Sequence, residues 1–198
     1  MTKTTKTSAL DRRAVVKKLL AGNDKLLLVT GLGSPSYDAM AAGDRDRTYY
    51  LWGAMGGAAM MGMGIAVAQP KESVCVLTGD GEALMGIGAL ATIGAQKIKN
   101  LTVIVLDNGH YGETGMQASH TGLGVDLAGV AKASGFATAE TIDTMTGVEA
   151  LAKRLMSPAG PAFATIRIAA DDPQRVLPPR DGVHVKNRFR AALGFATI

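Results

Sequence analysis

Three features predict an α/β fold, a parallel sheet with helices on both faces, for this 198-residue chain. The strand candidates at residues 25–30, 73–78 and 101–107 are apolar almost without interruption, as strands covered on both faces are, rather than alternating. Segments of helical length and spacing separate them. Glycine-rich turns follow each strand directly, in a chain whose 25 glycines far exceed the average share of about 7%. The length suits one domain, expected over residues 1–198 with residues 1–7 and 171–183 extended.

Taken in order, Ser8 is an N-cap for a helix over residues 9–21, with apolar Leu10, Val15 and Leu19 and a stop at Gly22. The strand at 25–30 runs into the glycine loop 31–35, followed by a short helix over 36–42. Residues 54–70 read as a buried helix closed by Pro70, its glycines admitting neighbouring backbone closely. After the strand at 73–78, a helix over 82–97 and the strand at 101–107 complete a strand–helix–strand unit. Residues 108–124 form a loop, 125–134 and 147–157 read as helices, and 136–142 and 161–168 as strands. Residues 171–179, rich in proline, wrap the surface before a last helix over 185–193.

Composition removes several function classes. A single cysteine, Cys75, excludes a disulfide framework and a multi-cysteine metal site from this chain alone, and it reads as an inert buried thiol in a cytoplasmic protein. The formal charge of +4 is concentrated at the ends, with six Lys/Arg against one Asp in residues 1–18 and five against three Asp in residues 171–198. Charge placed there does not describe a nucleic-acid face, and no nucleic acid partner is expected. Residues 48–70 carry no charged side chain, yet five glycines and Pro70 interrupt them, so no membrane span is expected. Gly31, Gly33 and Ser36 imitate a dinucleotide fingerprint, but no acidic residue stands about twenty positions onward to hold a ribose. His110, His120 and His184 lack the spacing of zinc ligands.

Ligands of open parallel sheets gather at the carboxyl ends of the strands, where this chain has Gly31, Leu32, Gly33 and Ser34, then Gly79, Asp80 and Gly81, then Asp107 and Asn108. Glycines on both sides of Asp80 let main-chain N–H groups face a phosphate at the start of a helix. A carboxylate beside phosphates calls for a cation, and magnesium takes hard oxygen ligands of this kind. Asp80, the Asn108 amide oxygen and the His110 carbonyl are the candidate metal ligands.

Gly79, Asp80 and Gly81, a helix and a strand, then Asn108 resemble the thiamine diphosphate signature that opens with GDG and closes with Asn about thirty residues later. With Trp52 to Gly56, Thr114 to Gln117 and the closing PPRDGVHVKNRF, residues 25–195 are similar to the sulfopyruvate decarboxylase β subunits and to the C-terminal part of the phosphonopyruvate decarboxylases. The resemblance implies thiamine diphosphate and Mg2+ as cofactors, with Gly33, Ser34, Gly79, Asp80, Gly81, Glu82, Asn108, His110 and Tyr111 around the diphosphate. It further implies that the Gly53 carbonyl accepts from the cofactor's 4′-amino group and that Met55 props the cofactor in its bent form. His110, Tyr111 and His120 are the candidates for proton transfer or for binding a substrate anion. The family's usual TGGQ reads Thr114, Gly115, Met116, Gln117, which sets a side chain where glycine stands elsewhere.

The resemblance also implies a partner. A pyrimidine-binding α subunit would carry the glutamate that activates the cofactor, since Glu82 and Glu113 lie in the wrong loops for that task, and the assembly would be a hetero-oligomer, α2β2 or higher. The activity expected is decarboxylation of a small 2-oxoacid, sulfonated or phosphonated, to an aldehyde and CO2. The alternatives are the β subunit of a 2-oxoacid:ferredoxin oxidoreductase, a carboligase, and a catalytically silent regulatory subunit.

Overall fold

The computed structural model describes residues 9–197. Its main sheet has six parallel strands: β1 (Leu27–Thr30), β2 (Thr48–Tyr50), β3 (Val74–Gly79), β4 (Leu101–Asp107), β7 (Thr138–Ile142) and β8 (Ala162–Arg167). They lie in the order β2-β1-β3-β4-β8-β7. A small antiparallel ribbon, β5 (His110–Tyr111) with β6 (Gln117–Ala118), stands apart from it. The ribbon folds within what the sequence presents as a loop, because two-residue strands leave no hydrophobic period to detect. The three-residue β2 escapes detection for the same reason.

Successive side chains of the central strands feed two separate cores. Leu28, Leu77, Ile104 and Ile166 meet Val15, Val16 and Leu19 of α1 (Arg12–Leu20) and Leu151 of α7 (Met145–Arg154) on one face. Leu27, Val29, Val76, Val103 and Phe163 face the other core, against Ala58 of α3 (Ala58–Ala68), Ile93 of α5 (Gly88–Gln96) and Leu127 of α6 (Leu127–Ala133). Covering both faces is what removes the alternation from the strands.

Three expectations need correction. The first helix starts at Arg12 rather than residue 9, because Asp11 caps it, its carboxylate accepting from the Ala14 N–H at 2.7 Å; Ser8 lies outside the described residues. The helix expected over 82–97 is two, α4 (Asp80–Met85) and α5, parted at Gly86, where the backbone of Gly56 packs close. The apolar α3 is not a buried helix: Ala58, Gly62 and Ala66 are its buried residues, while Val67 is 61% exposed. The small face is the one that touches the sheet, and a β-carbon on Gly62 would fall 2.2 Å from Val76 Cγ2. Met60 and Val67 point away, while Met61, Met63 and Ile65 are partly buried against the edge of that core.

Helix α2 (Ser34–Ala42) follows β1, and α8 (Gly182–Ala192), capped by Asp181, closes the chain over β2 with Phe189 edge-on to Tyr49. Residues 169–181 have no regular structure and are tied down by Arg13 donating to the Gln174 carbonyl and by the Trp52 indole donating to the Pro179 carbonyl, 2.9 Å away. No helix among the described residues is long and apolar enough to cross a membrane. The chain order reverses at β1, whose neighbours are β2 on one side and β3 on the other, so the loops after β1 and β3 splay apart and leave a crevice.

Candidate active site at the switch point

A cavity of about 200 Å3 opens in this crevice. Leu32 and Ser34 come to it from the loop after β1, Met55 from the loop after β2, Gly79 to Glu82 from the end of β3, and Asn108, His110 and Tyr111 from the end of β4. Of the residues expected around a ligand, Gly33 and Gly53 flank the lining residues Ser34 and Met55 instead of lining the cavity themselves. His120 is placed behind Tyr111, their rings edge to face at 6.2 Å, and does not line the cavity. A wider hollow of about 470 Å3 lies beyond Asp107 and Asn108 toward β8, and neither the Gly79 to Glu82 turn nor Met55 reaches it.

Asp80 is the electrostatic centre of the cavity. It is 3% exposed, and its Oδ2 accepts from Ser119 Oγ at 2.5 Å and lies 3.0 Å from Thr121 Oγ1. The same Thr121 hydroxyl sits 2.7 Å from Asp107 Oδ1, so one hydroxyl is shared between two carboxylates. Burial, and then the Asp107 charge, push the Asp80 carboxyl above its usual range against the pull of the two hydroxyls. A buried carboxylate raised by a neighbouring carboxylate is an environment that a divalent cation relieves. Asn108 contributes its amide oxygen, which already accepts the His110 N–H at 3.0 Å and keeps a second lone pair. His110 turns its Nδ1 onto the Asn108 carbonyl, 2.8 Å away; a carbonyl can only accept, so Nδ1 carries a proton and Nε2 is the ring nitrogen outside that contact.

Glu82 lines the cavity and also ties its loops together. Its carboxylate is buried, accepts from Thr78 Oγ1 at 2.6 Å and from the Ala58 N–H at 3.4 Å, and is further held by the N–H groups of Gly56 and Leu32. A β-carbon on Gly31 would fall 1.5 Å from Glu82 Oε2. The side chain thus runs beneath the cavity and pins the loops after β1 and β2 to β3. Burial raises its carboxyl above the ordinary range, and hydrogen bonds to the ionised form oppose that rise.

The geometry brings in residues that the sequence reading missed. Ser119 and Thr121 stand 39 and 41 positions after Asp80, with no spacing that announces them. Glu113 lies at the mouth, where its carboxylate accepts from Ser34 at 3.3 Å and pairs with Arg175 at 3.4 Å, and Arg175 also lies over the Tyr37 ring. Arg12 lines the cavity from α1. A signal for it exists, because Arg12 stands in register with Val15, Val16 and Leu19 on the apolar stripe of its helix, where a charge is out of place.

Residues 36–166 match the family model described as the thiamine pyrophosphate enzyme, C-terminal TPP binding domain. The chain belongs to this family. Its members' cofactor, thiamine diphosphate, is the ligand that the match assigns to the domain. The chain is 38% identical over 128 residues to the sulfopyruvate decarboxylase subunit beta of Methanocaldococcus jannaschii, covering 64% of this chain and 68% of that one. It is 32% identical over 180 residues to the protein of the same name from Methanothermobacter thermautotrophicus, covering 91% of this chain and 94% of that one. Among solved structures, a thiamine diphosphate-dependent 4-hydroxybenzoylformate decarboxylase from Rhodococcus jostii RHA1 superposes with a TM-score of 0.68 at 21% identity, over 86% of this chain and 35% of that one. The likeness extends to the fold, and this chain spans about a third of that larger protein.

The residues present fit the family's cofactor. Oxygen donors cluster at Asp80 and Asn108, and the Gly81 position is kept free of a side chain by the Tyr111 ring, which a β-carbon would meet at 2.8 Å. Met116 adopts φ +60°, a left-handed backbone conformation that glycine takes without steric cost.

Proposed function

We propose that this chain is the diphosphate-binding subunit of a two-subunit, thiamine diphosphate- and Mg2+-dependent decarboxylase that converts a small sulfonated or phosphonated 2-oxoacid to an aldehyde and CO2. The observation that carries the reading is the convergence of Asp80, Asn108 and Met55 on one cavity, in a chain that matches a relative named as a beta subunit over 94% of that relative's length. Asp80, the Asn108 amide oxygen and the His110 carbonyl are the metal ligands in this reading, with Gly81 and Ser34 beside the diphosphate. When bound, the cofactor supplies a nucleophilic carbon and an electron sink for the carboxylate that leaves.

The chain's own residues orient and shield. Ser119 and Thr121 hold Asp80 in one rotamer. Glu82 keeps the facing loops at a fixed separation, Met55 forms the far wall, and the Gly53 carbonyl adjoins it as an acceptor for the cofactor's amino group. His110 Nε2, with the ring fixed by the Asn108 carbonyl, is the atom placed to accept or return a proton. Tyr111 limits the depth of the cavity above Gly81.

A pyrimidine-binding partner with an activating glutamate is part of the reading. Neither carboxylate of Glu82 or Glu113 is free for that task, since the first is sealed below the cavity and the second pairs with Arg175. Support for a covering chain comes from the outer side of the cavity, where Met55 is 39% and Met85 66% exposed beside the uncharged α3. A cytoplasmic hetero-oligomer follows from this reading. The test is CO2 release from pyruvate and from its sulfonated and phosphonated derivatives, by the chain alone and with a pyrimidine-binding subunit. Turnover that needs both subunits and prefers an anionic derivative supports the proposal, whereas robust turnover by the homomeric chain refutes the two-subunit form.

A further inference from the structure

Arg12 and Arg13 converge on one carboxylate. Arg12 Nε donates to Asp38 Oδ2 at 2.7 Å and Arg13 Nε to Asp38 Oδ1 at 2.6 Å, with Asp38 1% exposed. Two guanidinium groups face one carboxylate, which leaves one positive charge uncompensated in a largely buried cluster. Arg13 spends its outer nitrogens elsewhere, Nη2 donating to the Gln174 carbonyl. Arg12 does not: its side chain is 5% exposed, its Nη nitrogens have no acceptor among the described residues, and it lines the cavity. A guanidinium held by its Nε alone keeps four of its five N–H donors available.

The same wall of the cavity carries the start of α2, nine residues long, where Ser34 and Pro35 line the space and no side chain caps the helix. Pro35 has no N–H and those of Ser36 and Tyr37 donate to the Gly33 carbonyl, so what this helix start offers an anion is the positive end of its dipole. Arg12 is the cationic side chain among the residues lining this cavity, and the carboxylates that share it have other work: Glu82 is sealed beneath and Glu113 is paired with Arg175. The outer nitrogens of Arg12 are not among the buried polar atoms that lack a partner, so they open onto the cavity, where the oxygens of an anionic ligand would meet them.

We propose that Arg12 binds the terminal phosphoryl group of the diphosphate, its outer nitrogens donating to the phosphate oxygens while Asp38 fixes the direction of the fork. This rests on the reading of the cavity as the cofactor site and adds to it a residue that precedes the family match at 36–166. One magnesium ion held by Asp80 would leave a diphosphate with net negative charge, which Arg12, lining the same cavity, would offset. The planar fork explains arginine instead of lysine at this position, since it reaches two oxygens while remaining tied to Asp38.

Calorimetric titration of thiamine diphosphate and of thiamine monophosphate, each with Mg2+, into the full chain purified with any subunit that accompanies it provides the test. Wild-type protein is expected to prefer the diphosphate. Arg12→Met should weaken diphosphate binding tenfold or more and erase that preference, Arg12→Lys should recover part of it, and Arg13→Met, which removes the other partner of Asp38, should leave the preference intact. If Arg12→Met alone does not fold, Arg12→Met with Asp38→Asn removes the buried carboxylate that has lost one of its two partners and is read in the same way. Wild-type protein that binds neither compound overturns the reading of the cavity itself. Wild-type binding with an unchanged preference in the Arg12 variants overturns the role of Arg12 alone, including the case in which those variants raise KM for an anionic 2-oxoacid.

Discussion

A β-carbon on Gly86 would lie 2.1 Å from the carbonyl oxygen of Gly56. This approach locks the loop after β2, which carries Met55, against the break between α4 and α5, so two segments thirty residues apart share one position. Gly86→Ala cannot be absorbed by a side chain, because the obstacle is backbone. The expected outcome is a displaced Met55 loop, a loss of stability of about 1–3 kcal/mol as in other overpacked sites, and weaker cofactor binding. Thermal melting together with cofactor titration checks it; unchanged values in both would mean that the contact is not tight.

Met55 separates two accounts of the same loop. A methionine in the core would cost about 2–5 kcal/mol on truncation to Ala. Met55 is 39% exposed and lines the cavity, so Met55→Ala should leave the melting temperature nearly unchanged and lower turnover of the reconstituted enzyme, while Met55→Leu should retain most of it. Steady-state turnover at saturating cofactor, normalised to folded protein, decides between them.

Met116 holds a left-handed backbone conformation that glycine adopts at no steric cost. The conformation costs an L-residue roughly 1–2 kcal/mol, and the entropy cost of introducing glycine is roughly 0.5–1 kcal/mol. Met116→Gly should therefore be neutral to mildly stabilising in chemical denaturation. A clear destabilisation would show that the Met116 side chain contributes packing that offsets its strain.

Burial pushes the Cys75 thiol up to about 12. A raised acid pKa in the folded state means that the unfolded chain releases its proton first, so this group's contribution to stability is lost as pH rises from about 9 toward about 12. At about pH 8 the native thiol should resist a disulfide-exchange reagent that labels it promptly in denaturant. Rapid labelling of the native protein would contradict the burial.

Much of this arrangement was legible in the residues. The uninterrupted apolar runs identified β3 and β4, and the turn at Asp80 with Asn108 at the end of the next strand located the cavity. What escaped depended on contacts between distant segments. Nothing near Gly86 announces the Gly56 carbonyl that divides the helix there, and nothing near Glu82 announces that its carboxylate also meets Thr78 and three backbone N–H groups. The uncharged α3 looked buried because hydropathy does not reveal which face is small enough to touch a sheet. Arg12 stands on an apolar stripe that the sequence reading passed over, and its meaning came from Asp38, 26 residues away.

The central claim is that Asp80 holds a divalent cation which in turn holds the diphosphate. Calorimetric titration of thiamine diphosphate into wild-type and Asp80→Ala protein, with and without Mg2+, measures it most directly. The account predicts wild-type binding that depends on Mg2+, and an Asp80→Ala variant that folds, binds the cofactor at least tenfold more weakly and no longer responds to the metal. Equal, Mg2+-dependent affinity in the two proteins would contradict it.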